Sequence, residues 1–407
     1  MAHTTLPGSS GPGAAAARPA AHRIPLLDVL RGAAILGTLM TNVWIFASPG
    51  SEWSVLQGAM ALPDPLADPS AAGVAEAVFR FLADGKFLSL LTVLFGVGLA
   101  IQYDSAARRG EPWPGRYPRR AAFLFLEGTV HFVLVFAWDV LMGYAVTALL
   151  TAWLLARSER VRRVAMWVAG SLHLALIGLV TLGDLATPDS GPETPDAAAV
   201  GLYAHGGYLD QIRFRLDHAL ALRIEPVFSF GLLVLLFLLG VRLFRAGAFA
   251  PTADGHRIRV RLTAWGLGLG LPLGAAAALG GPDFFVLGRY GIAPLIALGY
   301  IGLIGCLLDR FPAVRGAAAL GAIGRTALSA YVGQNLLCML LCYGIGLGLA
   351  DRLAGSGPWW VMGLWAAVSL ALAAGSALWL RRFERGPLES VQHRVLTARR
   401  RVRPGRG

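Results

Sequence analysis

Residues 119 to 140 read RRAAFLFLEGTVHFVLVFAWDV and set a histidine near the middle of an apolar run. Histidine is the side chain whose unperturbed pKa best suits proton transfer near neutral pH. Arg120, Glu127 and His131 are spaced by seven and four, which puts them on one face of a helix, and Asp139 closes the segment. His131 is therefore the candidate general base or proton carrier, with Glu127 one turn below, or Asp139, to orient it. The plainer reading is a buried histidine hydrogen-bonded to a neighbouring helix.

A second polar face lies in LLDVLRGAAILGTLMTN, residues 26 to 42, where Asp28, Arg31, Ile35, Thr38 and Asn42 follow spacings of three, four, three and four. At 1.5 Å per residue, Asp28 and Asn42 stand roughly 21 Å apart along a helix axis. Asp28 is expected to fix Arg31 one turn away. In FRFLADGKFLSLLTVLFGVGLA, residues 79 to 100, Arg80 and Asp84 have the spacing of a same-face ion pair, and Lys86 follows Gly85, where a helix loosens. Lys86 is the one lysine among 36 basic residues; lysine and arginine are not interchangeable everywhere, so it is a candidate for stabilising negative charge, as is Arg31. In GRTALSAYVGQNLLCMLLCYG, residues 324 to 344, Arg325 stands at the head, Tyr331, Asn335, Cys338 and Cys342 form a stripe, and Gln334 is adjacent. Asp28, Asn42, Asp139, Arg325 and Gln334 are the expected substrate-binding set. Interhelical hydrogen bonds would equally use Gln334 and Asn335.

These faces sit in segments apolar enough to cross a bilayer. Of 407 residues 56% are hydrophobic and 15% charged, with a mean hydropathy of +0.59, against about a quarter charged in soluble proteins. A charge at the centre of a membrane helix costs ~2.5 to 3.5 kcal/mol on insertion scales, so such residues have partners or tasks. The expected architecture is an all-α, polytopic membrane bundle of about ten spans: 26–48, 75–102, 119–138, 140–157, 163–183, 225–244, 260–280, 286–308, 324–349 and 358–380. It divides into a disordered tail at 1–22 that lacks the features of a cleaved signal peptide, a membrane half at 23–183, an outer loop at 184–224 covering the mouth of a site, a second half at 225–385 and a basic tail at 386–407.

Every second loop is rich in Arg, for example 103–118, 157–163 and 242–261, whereas 49–74 has none. That alternation expects both termini on the cytoplasmic side of the cell membrane. It also explains the net charge of +12 by topology and anionic lipid headgroups, without nucleic acid. The cysteines Cys306, Cys338 and Cys342 read as packing residues, with no metal expected. The glycines of 266–274 lie within a span with no preceding strand, so they are not a dinucleotide loop.

The motifs at 23–42, 84–100, 119–145, 324–337 and 381–390 resemble the YeiB-like integral membrane proteins of unknown function. The opening motif of Asp28, Leu30 and Arg31-Gly32 is also distantly similar to that of transmembrane acyltransferases, such as the heparan glucosaminide N-acetyltransferases and the sugar O-acetylating membrane enzymes. That resemblance implies acyl transfer from a cytoplasmic thioester, acetyl-CoA or another acyl-CoA, to an envelope or lipid-linked acceptor, with Asp28, Arg31 and Gly32 at the start of the first core helix and Asn42 at its outer end. Those enzymes carry a functional histidine just beyond that helix; here VWIFASPGSEWSVLQG has none, so the base falls to another residue such as His131. A proton-coupled transporter or flippase and a non-catalytic scaffold use the same polar stripes.

Overall fold

The computed structural model describes residues 24–187, 194–312 and 315–397. The expected tail at 1–22 and the end of the basic tail, 398–407, lie outside the described residues. Helix α1 (Pro25–Ala47) starts on a proline, whose missing N–H costs nothing in a first turn. A short α2 (Ser51–Ser54) follows, then α3 (Ala71–Ala83), capped by Ser70, and α4 (Lys86–Arg108). Next come α5 (Tyr117–Leu134), α6 (Leu141–Leu155) and the long α7 (Glu159–Ala186), capped by Ser158. The region expected as an outer loop is instead built of α8 (Ala197–His205), α9 (Tyr208–Asp217) and α10 (Ala219–Leu222), leading through α11 (Ile224–Phe228) into α12 (Phe230–Arg245). After α13 (Ala253–Leu279), a 3₁₀ turn and a π-turn at Leu287–Ile292 enter α14 (Ala293–Arg310). The chain ends in α15 (Arg315–Arg325), α16 (Ala327–Cys342), α17 (Leu349–Arg352), α18 (Trp359–Trp379) and α19 (Pro387–Thr397).

Each of the ten apolar segments forms a helix, but six helical stretches among the described residues are long and apolar enough to cross a membrane: Pro25–Ala47, Ala71–Arg108, Glu159–Ala186, Ala253–Leu279, Pro282–Arg310 and Trp359–Trp379. The remainder are short or charged. Helices α6, α12 and α16 have 15 or 16 residues, which at 1.5 Å each fall short of a hydrocarbon core of about 30 Å. Helix α5 carries Arg119, Arg120 and Glu127. Large apolar side chains on α7, α13 and α18, among them Leu172, Leu179, Trp265 and Leu370, face outward, as a lipid-covered surface requires.

Helix α1 is the central element, packed on α15, α4, α16 and α18. It crosses α15 backbone to backbone: a Cβ at Gly32 would overlap the Leu320 carbonyl, and one at Gly324 the Asp28 carbonyl. The glycine run at 266–274 does the same work, since Gly266 meets the Gly299 backbone where α13 lies on α14. Small residues let helices approach where lipid gives no hydrophobic drive.

The long apolar segment at 75–102 breaks at Asp84 and Gly85, and Gly85 takes a left-handed φ of 70°. The break overturns the expected Arg80–Asp84 pair, because a spacing of four holds only while the helix continues. Arg80 instead bonds Glu76 (3.0 Å) and the carbonyls of Ala59 and Ala61 (2.9 Å each). Asp84 pairs with Arg289 in the π-turn.

Candidate functional site

Helix α5 ends just past His131, whose carbonyl accepts the amide N–H of both Val135 and Phe136 (2.8 and 2.9 Å). The chain then folds back and brings Asp139 to His131, Oδ1 lying 2.9 Å from Nδ1. Asp139 Oδ2 accepts from the Leu141 and Met142 amides (2.9 and 3.4 Å) and so caps α6. Gly128 leaves room for this approach, since a Cβ there would press on Asp139 Oδ2 at 2.7 Å. A carboxylate at Nδ1 accepts a hydrogen bond from the ring N–H there, which leaves the lone pair on Nε2. Nε2 lies 3.3 Å from Asn335 Nδ2, and Asn335 Oδ1 accepts from Asn42 Nδ2 at 3.1 Å. The Tyr331 hydroxyl is 3.4 Å from Asp139 Oδ1. His131 and Asp139 are 2% and 1% exposed and Asn335 is fully buried, so the pair reaches solvent only through its neighbours.

Those neighbours face two cavities. One, of about 200 Å³ on the Asn42 side, is lined by Thr38, Asn42, Leu88, Val140, Glu225 and Arg289 among others. The other, of about 300 Å³ on the Arg31 side, is lined by Arg31, Ile35, Leu91, Arg120, Leu141 and Arg325 among others. Tyr331 lines both. Helix α1 passes from one to the other between Ile35 and Thr38, and α4 between Leu91 and Leu88. Three residues of helix rise about 4.5 Å, so the wall between the cavities is one turn thick, and His131 with Asp139 is bonded into it.

Of the expected site residues, the structure therefore gathers His131, Asp139 and Asn42, joined by Asn335 and Tyr331 of the α16 stripe. Gln334 is close by, its Nε2 3.4 Å from Thr38 Oγ1, with its buried Oε1 unpartnered among the described residues. Arg31 and Arg325 stand on the other cavity, and Arg31 bonds Asp28 at 3.3 Å as expected. Two roles are corrected. Glu127 does not orient His131, because Nδ1 already points to Asp139, and both Glu127 oxygens are buried without a donor among the described residues. Lys86 does not face the histidine group: it is 4% exposed, its ammonium lies 4.4 Å from the Phe81 ring centre, and it lines a separate cleft with Asp84 and Arg289.

Two buried ionic clusters have no counterpart among the expected residues. In the first, Arg289 bonds Asp84, Glu225 (3.1 Å) and Tyr290 (3.1 Å), and the Tyr290 hydroxyl donates to Glu225 at 2.6 Å on the wall of the Asn42-side cavity. In the second, Glu52 Oε2 accepts from Arg215 Nε (2.8 Å) and the Tyr203 hydroxyl (2.7 Å), and Oε1 from the Ala137 amide (3.0 Å). Arg215 also donates to the Val133 and Val135 carbonyls, and Arg223 to the Asp139 carbonyl at 2.7 Å. Burial alone would lower the Arg215 pKa, but Glu52 outweighs it and holds the guanidinium above its ordinary value. Burial, and then Glu52, push the Tyr203 phenol well above its own. The helices at 197–217 thus clamp the segment that presents Asp139. A lone glutamate in the otherwise apolar SEW was the signal available for this second cluster.

Residues 243–399 match the family model described as "Protein of unknown function (DUF418)". The chain is 29% identical over 389 residues to the uncharacterized protein YeiB of Escherichia coli (strain K12), covering 89% of this chain and 93% of that protein. It is 27% identical over 383 residues to the uncharacterized protein YxaH of Bacillus subtilis (strain 168), covering 90% and 92%. A 39.9 kDa uncharacterized protein from the amylase 3′ region of Bacillus acidopullulyticus is 31% identical over 111 residues, 27% of this chain. The motif likeness to acyltransferases is not addressed by these relatives. Two relatives are matched along nearly their whole length and the terminal domain is matched as well, so this chain is similar to the YeiB-like membrane proteins of unknown function.

Proposed function

We propose that the protein is a membrane acyltransferase. It moves an acyl group from a cytoplasmic thioester, acetyl-CoA or another acyl-CoA, to a hydroxyl or amine of an envelope or lipid-linked acceptor. In this reading the ten helical segments traverse or line the cell membrane, both termini are cytoplasmic, and the Arg31-side cavity opens to the cytoplasm by the charge of its loops. The observation that carries it is the histidine–aspartate pair in a one-turn wall between two cavities. A donor from one side and an acceptor from the other meet at such a wall without either crossing it.

The acceptor O–H or N–H takes the place of Asn335 Nδ2 at His131 Nε2 and gives up its proton there. The acceptor atom bonds to the thioester carbonyl, the C–S bond breaks, and the departing thiolate takes the proton from the imidazolium. Asp139 keeps the ring in the reactive tautomer and stabilises its charge. Tyr331, facing both cavities, donates to the carbonyl oxygen as it becomes negative. Anionic lipid headgroups meet the Arg-rich loops.

Purified protein in liposomes, given acetyl-CoA labelled in the acetyl group and an envelope extract, should transfer label to an extract component. His131→Ala should abolish transfer while the protein stays monodisperse. Absence of transfer by the wild type would sink the proposal. A proton-coupled transporter or flippase is the second reading, favoured by the shared wall at Tyr331 and by the break at Gly85, since interrupted helices line transport sites. Flux driven by a pH gradient, lost in His131→Ala, with no label transfer, would select it.

A further inference from the structure

We infer that the Arg31-side cavity is a phosphate site that grips a ligand carrying a phosphate at one end and an extended arm at the other. This deepens the acyl-transfer reading and rests on it for the donor's identity. Three arginines from three helices line the cavity: Arg31 of α1, Arg120 of α5, which is exposed, and Arg325 at the end of α15, which also borders the groove beside Asp28. Glu389 also lines it but is occupied. Its Oε1 accepts the Leu328 and Ser329 amides (2.8 and 3.4 Å) and its Oε2 the Ser329 hydroxyl (2.6 Å), so it caps the first turn of α16.

Arg31 is held by Asp28. Arg120 and Arg325 make no ion pair among the described residues, and Arg325 Nε is buried without a hydrogen-bond acceptor there. A guanidinium that has lost water and gained no acceptor is costly, and a planar fork of N–H donors suits phosphate oxygens. The plainer reading, arginines reaching to headgroups at the membrane surface, does not account for Arg325, whose Nε is withdrawn from solvent. Deeper in, Leu91, Leu94, Phe95 and Leu124 make the cavity apolar as it nears Tyr331. A phosphate held at the arginines therefore directs the rest of the ligand towards the wall that holds His131. Coenzyme A thioesters and anionic phospholipids share this chemistry.

Isothermal titration of the full-length protein in a neutral detergent should give binding of coenzyme A and at least about tenfold weaker binding of pantetheine, which lacks the phosphates. Arg120→Gln/Arg325→Gln should lose at least about tenfold for coenzyme A and flatten its salt dependence. Retention by Arg120→Lys/Arg325→Lys would tie the loss to charge rather than to folding. Where the source is lipid, coenzyme A gives no heat, and native mass spectrometry finds phosphatidylglycerol retained by the wild type and lost from the glutamine variant. Equal coenzyme A binding and equal phosphatidylglycerol retention by monodisperse wild type and glutamine variant overturn the inference. The same titration on His131→Ala separates the two proposals, since the phosphate site stands if binding persists even where acyl transfer fails.

Discussion

Glu52 and Asp139 are both buried carboxylates that hold the segment at 135–140, yet their surroundings differ. Glu52 is closed by a cation: Arg215 lies 2.8 Å away, with Tyr203 and the Ala137 amide filling the other positions. Among the described residues, Asp139 has no guanidinium or ammonium side chain in ion-pair contact. It holds two helix-end amides, an imidazole and a more distant phenol, and its network continues through buried Asn335 to Asn42, which fronts one cavity. A saturated ion pair has one low-energy arrangement and acts as a staple. A carboxylate whose network runs through neutral amides and a phenol, with contacts of 3.1 to 3.4 Å, can rearrange, because no guanidinium or ammonium locks it. A closed cluster and an open one lie side by side, and the first holds the segment that presents the second.

The largest effect should come from breaking the staple. Arg215→Ala leaves the Glu52 charge buried and unpaired, which costs about 3–5 kcal/mol, and should lower the melting temperature in detergent and open residues 194–224 to protease. Replacing both partners together, Glu52→Leu with Arg215→Met, should cost much less. If the single and double variants melt alike, the cluster is not an ion-pair staple. The next largest effect separates orientation from capping at Asp139. Asp139→Asn keeps an oxygen for the α6 amides but cannot hold the imidazolium, so label transfer should fall about 10²- to 10⁴-fold with little change in melting. Asp139→Ala should lose transfer and about 1 kcal/mol of capping as well. Full transfer by Asp139→Asn would take the pair out of the chemistry.

Much of this is legible in the sequence. The Asp28–Asn42 face, His131 and the Tyr331–Asn335 stripe follow from helical spacing, which is dependable while a helix is unbroken. Spacing failed where helices end. Glu127 is on the face of His131 by period, yet the partner is Asp139, eight residues on, because α5 stops at Leu134 and the chain returns. Arg80 and Asp84 failed as a pair for the same reason at Gly85. The staple was out of reach because 163 residues separate Glu52 from Arg215, and no periodicity connects a short turn to a helix of the outer region. Six helical stretches among the described residues are long and apolar enough to span, and apolar composition does not distinguish a crossing helix from a 16-residue one such as α12 packed among others.

A smaller effect tests the neutral chain. Asn42→Ala deprives Asn335 Oδ1 of its donor, which costs about 1–3 kcal/mol if no water replaces it. Since Asn42 stands on the cavity wall, water is available, and the cost should fall at the low end. Transfer should drop, because an untethered Asn335 competes for His131 Nε2. Unchanged transfer would show that Asn42 only fills space and that the chain ends at Asn335.

The smallest effect belongs to the staple at high pH. An unfolded phenol titrates near pH ~10, and Tyr203 is held well above that by burial and by Glu52. A group whose folded pKa is raised leaves stability intact below the unfolded pKa and loses it as pH rises through the folded one. The clamp should therefore weaken above about pH 10 as the unfolded chain releases a proton that the folded chain retains. Tyr203→Phe removes this proton and should melt less steeply with pH between about 9 and 11, while losing roughly 1 kcal/mol at neutral pH from the missing hydrogen bond to Glu52. Buried Tyr343, bonded to Ser51, keeps its own contribution in both proteins, so the difference between the two melting curves isolates Tyr203. Parallel curves would mean that the phenol's proton is not held by Glu52, and that Arg215 closes the cluster alone.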